Sequence, residues 1–88
     1  MARRGVHMNQ FQGTAAVVTG AASGLGRALC EALSLAGVEV WAWDTNELGL
    51  ESLFNWSRKN SELIFTEKVD VTRPEEMEKG LAKILSSR

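Results

Sequence analysis

The apolar run Thr14 to Val18 ends in Thr19-Gly20-Ala21-Ala22-Ser23-Gly24-Leu25-Gly26, and this glycine-rich turn opens directly into the amphipathic stretch Arg27 to Ala36. A strand, a tight turn and a helix in immediate succession set the helix N-terminus at the strand's carboxyl end. Each glycine has a mechanical task. Gly20 takes the turn off the strand, Gly24 keeps the backbone clear of a side chain where a ligand approaches, and Gly26 lets the helix pack close on the strand. The first N–H groups of the helix lack intrahelical acceptors and carry a partial charge of about +0.5. The product is an anion site of the kind that holds the pyrophosphate of a dinucleotide, with Leu25 offering its backbone N–H while its side chain packs inward. A P-loop is excluded, because neither Gly-Lys-Ser nor Gly-Lys-Thr occurs.

Beyond the turn, strand and helix patterns alternate. Thr14 to Thr19 reads as a short strand; Leu25, Ala28, Leu29, Ala32, Leu33 and Ala36 then follow helical spacing up to Gly37, a C-terminal stop. Val38 to Asp44 is β-prone, Glu47 to Lys59 predicts a second helix burying Leu50, Leu53, Phe54 and Trp56, and Leu63 to Val69 predicts a third strand. Thr72-Arg73-Pro74-Glu75 combines an N-cap, an early proline and a capping-box glutamate. A third helix is therefore expected from Arg73 toward Ser86, with Met77, Leu81, Ile84 and Leu85 on one face. This β-α-β-α-β-α order predicts an α/β, Rossmann-like unit with a parallel three-stranded sheet of order 3-2-1. Crossovers of one hand put the first two helices on one face and the third on the other. Ligand would sit outside the carboxyl ends of the strands, where Gly20, Asp44 and Asp70 converge.

Asp44 ends the second strand eighteen positions after Gly26, near the roughly 20-residue offset at which a carboxylate accepts from both adenosine ribose hydroxyls of NAD. The 2′-phosphate of NADP would bring about −1.5 to −2 charges beside it. Two unit charges about 4 Å apart repel by on the order of 1 kcal/mol in water and about 4 at an effective dielectric of 20. Asp44 thus favours NAD and makes NADP the weaker candidate. Asp44-Thr45-Asn46 is also good capping chemistry, which would explain the aspartate without a ligand.

The spacing Gly-x-x-x-Gly-x-Gly differs from the standard Gly-x-Gly-x-x-Gly and resembles the Thr-Gly-x-x-x-Gly-x-Gly segment of the short-chain dehydrogenase/reductase family. Phe11-Gln12-Gly13 and Val17-Val18-Thr19-Gly20 extend the resemblance, which runs from Phe11 to Leu85 and corresponds to the amino-terminal part of a typical member. It implies that Ser23 meets the ribose side of the cofactor; the alternative for Ser23 is a turn-stabilising hydroxyl. It also implies that Asp70 accepts from the adenine amino group and that Val71 contacts the ring, although Asp-Val-Thr before a helix is otherwise a common turn and N-cap. An arginine or lysine just before the second glycine often marks NADP preference in the family, and this chain has Ser23 there, with Arg27 the nearest cation past the turn. The family's hydride chemistry uses a tyrosine, a lysine four residues later, and a serine and asparagine nearby. This chain has no tyrosine and no Asn-Ala-Gly segment, so no catalytic residue is carried over.

With 88 residues, 44% of them hydrophobic, and a formal charge of −1, the composition describes one domain with no electrostatic basis for a nucleic-acid or membrane partner. Residues 1–10 are expected to form a flexible tail, and residues 11–88 a partial NAD(P)-binding domain that stops before the catalytic half. No apolar region follows Arg3-Arg4, and His7 has no companion at ligand spacing, so neither an export signal nor a metal site is expected. The one cysteine, Cys30, reads as a packed hydrophobe rather than a reactive thiol, and a soluble cytoplasmic setting is the default. Trp41 and Trp43 share a strand face and have no basic patch around them, which favours packing under a helix or at an interface over stacking on bases. An apolar first strand left at a sheet edge predicts a homo-oligomer or pairing through that strand. The reading is the NAD-binding portion of a short-chain dehydrogenase/reductase whose full-length form transfers hydride between nicotinamide and an alcohol or carbonyl substrate. The alternatives are a naturally short, non-catalytic nucleotide-binding or regulatory module that pairs with a related subunit, and a remnant without function.

Overall fold

Apolar runs and helical stripes alternate through residues 13–87, the part that the computed structural model describes, and they form β1 (Ala15–Thr19), α1 (Gly24–Leu35), β2 (Glu39–Asp44), α2 (Glu47–Lys59), β3 (Ile64–Lys68) and α3 (Pro74–Ser86). The expected tail over residues 1–10, His7 within it, and Phe11-Gln12 lie outside the described residues. The three strands are parallel with β2 in the middle, which is the expected 3-2-1 order. Val17 aligns with Trp41 and Phe65, and Val18 with Ala42 and Thr66, so each row of side chains runs straight across one sheet face.

The two faces are covered as the crossover rule requires. On one, Val18, Val40, Ala42 and Ile64 meet Cys30 of α1 and Leu50 and Leu53 of α2. On the other, Trp41 and Trp43 pack with Val69 and with Met77 and Ile84 of α3. The tryptophan pair is therefore packing material, as its spacing suggested. Trp41 also stacks on Phe65 with ring centroids 4.4 Å apart and donates from Nε1 to Glu39 Oε2 at 2.6 Å.

Helix rotation departs from the periodicity in two places. In α1 the buried positions are Cys30 and Ser34, whereas Leu29 is half exposed and Leu25 is 86% exposed. The cause is Gly26, where any Cβ would overlap the Gly20 carbonyl oxygen. That close approach turns the small line Gly26, Cys30, Ser34 onto the sheet and the leucines to its flanks. Ser34 is buried at little cost because its hydroxyl donates to the Glu31 carbonyl at 3.0 Å. Burial, with the Glu31 charge adding to it, pushes the Cys30 thiol up to about 11, so this packed cysteine stays protonated at neutral pH. In α3 the contact line is Met77, Gly80 and Ile84, and Leu81 and Leu85 face outward.

Caps and ends also shift. Asn46 caps α2, its side chain accepting from the Gly49 N–H. The cap of α3 is Arg73, not Thr72, and it makes no side-chain cap bond. Thr72 instead donates to Asp70, which competes for its hydroxyl. Glu75 pairs with Arg73 at 3.3 Å rather than closing a capping box. Leu63 precedes β3 and is exposed, while Val69 follows it and is buried.

At Gly80 α3 lies close on the sheet, since a Cβ there would lie 2.6 Å from Cζ2 of Trp43. Gly80→Ala should therefore destabilise the protein. Overpacking costs about 1–3 kcal/mol, against about 1 kcal/mol gained from helix propensity. The midpoint of urea unfolding, followed by tryptophan fluorescence, should fall; an equal or higher midpoint would show that the contact yields.

Candidate functional site

The carboxyl ends of the three parallel strands meet in a cleft of about 240 Å³ lined by Gly20, Asp44, Thr45, Val69, Asp70 and Val71. A roomier groove of about 540 Å³ lies between α2 and β3. It is an open surface feature that reaches the end of β3 at Lys68 but includes no residue of the glycine turn and neither Asp44 nor Asp70. The cleft at the strand ends is where chemistry-bearing groups converge.

Gly20 and Gly24 both adopt positive φ, +66° and +59°, and a side chain at either would meet nothing within 4 Å. These positions thus need glycine for backbone conformation and leave the turn's outer side open. Ser23 caps α1 with extended backbone, yet its side chain makes no cap bond. The regular ladder starts with Arg27 N–H donating to the Ser23 carbonyl, so the N–H groups of Gly24, Leu25 and Gly26 have no intrahelical acceptor. Leu25 corrects the expectation that its side chain packs inward: the rotation set by Gly26 leaves it exposed at the rim of the turn.

Asp44 is bonded directly to the turn. Its Oδ2 accepts from the Ala22 N–H and its Oδ1 from the Asn46 N–H, both at 2.9 Å. The adjacent Ala21 N–H donates to the Trp43 carbonyl at 3.1 Å, so turn and strand end are stitched together twice. The Ala22 bond first, and the Asn46 bond second, hold the Asp44 carboxyl below its usual range. A carboxylate offers about four lone-pair sites, so with the Ala22, Asn46 and Thr45 N–H groups engaged it keeps accepting capacity in reserve. Asp70 accepts at Oδ1 from both the hydroxyl (2.6 Å) and the N–H (2.9 Å) of Thr72, which lower its pKa in that order. Its own N–H donates to Glu76 Oε1 at 2.9 Å. Val71 stands beside it, 42% exposed.

Arg27 takes no part in the cleft. Its Nε pairs with Glu31 Oε2 at 3.0 Å and its Nη1 donates to Ser52 Oγ at 2.8 Å, which ties α1 to α2. Thus Gly20, Asp44, Asp70 and Val71 line one cleft, Ser23, Gly24, Leu25 and Gly26 form the adjoining helix start, and Ala22, Thr72 and Glu76 orient the two aspartates. No reading of residue types could assign Ala22, because it acts through its backbone. Among the described residues no group of three or more His, Cys, Asp or Glu is placed to hold a metal, and no helix is long and apolar enough to cross a membrane.

Comparison with known proteins agrees with this fold. The profile of the family described as short chain dehydrogenase matches residues 14–87. A curated relative, the 3-oxoacyl-(acyl-carrier-protein) reductase FabG of Escherichia coli, is 35% identical over 74 residues, covering 84% of this chain and 29% of that protein. Among solved structures, the citronellol catabolism dehydrogenase AtuB of Pseudomonas aeruginosa superposes with a TM-score of 0.83 and 26% identity over 89% of this chain and 33% of that one. A short chain dehydrogenase/reductase of Burkholderia phymatum, solved in complex with NAD, gives 0.81 and 28% over 86% of this chain and 27% of that one. The chain thus spans about a third or less of the length of these relatives.

Because its folded pKa is lowered, Asp44 contributes stability that is fully present above the unfolded value of about 3.9 and is lost as the pH falls through the lower folded value. The stability difference between the protein and its Asp44→Asn variant should hold constant above about pH 5 and shrink below about pH 4. A difference that stays flat through that acid range in denaturant titrations would contradict the ionised tie.

Proposed function

Because the chain belongs to the short-chain dehydrogenase/reductase family, we propose that it forms the NAD-binding portion of an oxidoreductase acting on an alcohol or carbonyl substrate. The carrying observation is the carboxylate of Asp44, ionised and aimed from the end of β2 by a hydrogen bond to the glycine turn. In this reading the N–H groups at the start of α1, Leu25 among them, hold the pyrophosphate, and Gly20, Gly24 and Gly26 let the backbone come that close. Asp44 accepts from the adenosine ribose hydroxyls with the lone pairs that Ala22 and Asn46 leave unused, and Ser23 borders the same ribose. Asp70 accepts from the adenine amino group while Val71 covers the ring. NAD, when bound, supplies the hydride-accepting nicotinamide; this chain binds and orients its adenosine half and contributes no proton-transfer group.

Preference for NAD over NADP is supported by two features. The 2′-phosphate would sit against the Asp44 charge, and Arg27, the first cation past the glycine turn in the sequence, is held by Glu31 and Ser52. Pairing through β1 belongs to the same proposal: Val17 on that strand and Leu25 and Leu29 beside it are exposed.

Two binding measurements test the assignments in the intact protein. Asp44→Ala should lose hydrogen bonds to a charged acceptor, worth about 1.5–3 kcal/mol, so NAD affinity falls tenfold or more while NADP gains ground. An unchanged NAD-to-NADP ratio in calorimetric titrations would sink the ribose role. For Asp70, the informative ligand is the hypoxanthine analogue of NAD, which carries a carbonyl where adenine has its amino group. The wild type should discriminate against it and Asp70→Ala should not; equal binding of both ligands by the wild type would refute the adenine contact.

A further inference from the structure

Gly49 occupies the first turn of α2, inside a helix, where glycine is the poorest former after proline. It is not among the glycines with positive φ, so the backbone does not require it. What requires it is space. A Cβ at residue 49 would lie 2.6 Å from Ala22 Cβ, 3.0 Å from the Ala22 carbonyl oxygen and 3.1 Å from Asn46 Nδ2.

These are the residues whose N–H groups aim Asp44. Ala22 donates to Oδ2 and Asn46 to Oδ1, and the ring closes where Gly49 N–H donates to Asn46 Oδ1 at 3.1 Å. We infer that Gly49 is a positioning residue for dinucleotide selectivity: it lets α2 press on the glycine turn, and that contact fixes where Asp44 presents its carboxylate. The inference rests on the proposed NAD site. Gly49 itself does not line the cleft, so it acts only through Ala22 and Asn46. A methyl group there forces either the turn or the α2 cap to give way, and either movement re-aims Asp44. The atoms nearest a Cβ at residue 49 belong to Ala22 and Asn46 and not to the start of α1, so pyrophosphate binding, common to NAD and NADP, should change less than the aim of Asp44.

The test uses Gly49→Ala, Ala22→Gly and the two combined in the intact protein, with NAD and NADP affinities and melting temperature measured for each. Gly49→Ala should lower NAD affinity by about tenfold, the loss expected when a hydrogen bond to a charged acceptor is broken, with NADP little changed. Ala22→Gly loosens the same contact from the other side and should also narrow the ratio. The combined variant moves the methyl across the contact and should recover selectivity. A merely structural role predicts something else: NAD and NADP affinities falling together with melting temperature, and that result overturns the inference. So does a folded Gly49→Ala with the wild-type ratio. If Gly49→Ala does not fold, Ala22→Gly decides, and an unchanged ratio there is equally fatal. A wild type that binds neither nucleotide would refute the NAD site as well, which separates that failure from one confined to Gly49.

Discussion

Everything at the carboxyl end of the sheet depends on how closely α1 lies against the end of β1. Gly26 faces the Gly20 carbonyl with no room for a Cβ, so the helix axis comes nearer to the strand than any other residue would allow. Once that distance is set, the next positions down the same line must also be small, and Cys30 and Ser34 are. The helix start is thereby brought beside the cleft, with its first N–H groups lacking intrahelical acceptors. An anion site at a helix N-terminus needs no dedicated side chain; it needs the helix to end in the right place.

Element order, sheet order and the distribution of helices between faces were legible because they follow from apolar periodicity and crossover handedness, which act over whole segments. So was the gathering of Gly20, Asp44 and Asp70, since each lies at or just past the carboxyl end of a strand of one parallel sheet. Rotation of the helices was not legible. Hydrophobic spacing in α1 and α3 points to leucines, yet the lines that touch the sheet pass through Gly26 and Gly80, because tight packing selects for missing atoms as strongly as for apolar ones. Exposed Leu25, Leu29, Leu81 and Leu85 are the visible result. Caps failed for a related reason. Thr72 has one hydroxyl and two nearby uses for it, and residue type alone does not say that Asp70 wins over the N–H groups of α3.

The two sheet faces are unequal in a way that follows from the tryptophans. The face under α1 and α2 is sealed by aliphatic and small residues, including the fully buried Val40, Leu53 and Ile64. The opposite face has one helix over it, and two indoles supply the area that a second helix would otherwise cover. Trp41 spreads toward β3 by stacking on Phe65, and Trp43 fills the space beneath Gly80. The arrangement carries a cost, because Trp43 Nε1 is buried with no hydrogen-bond partner among the described residues. An unsatisfied buried donor costs about 1–3 kcal/mol, comparable to the roughly 1.5–3 kcal/mol gained by burying a large apolar side chain. That near balance explains why Gly80 matters: a glycine lets α3 lie flat on the ring and recover contact area.

Two explanations of Asp44, strand-end capping and ligand binding, look like rivals when only residue types are known. The geometry shows the capping bonds and leaves room for the proposed ligand role beside them. Ala22 donates to one oxygen and Asn46 to the other, and these same bonds hold the carboxyl ionised and stop it from rotating. A carboxylate left to rotate would have to lose that freedom on meeting a ribose, and the lost entropy would weaken binding. Here the loss is taken during folding, along with the stitching of turn to strand. In the proposed NAD site the capping bonds would make Asp44 a selective acceptor: they keep its charge present, fix its direction and tie its position to the helix start proposed to receive the phosphates.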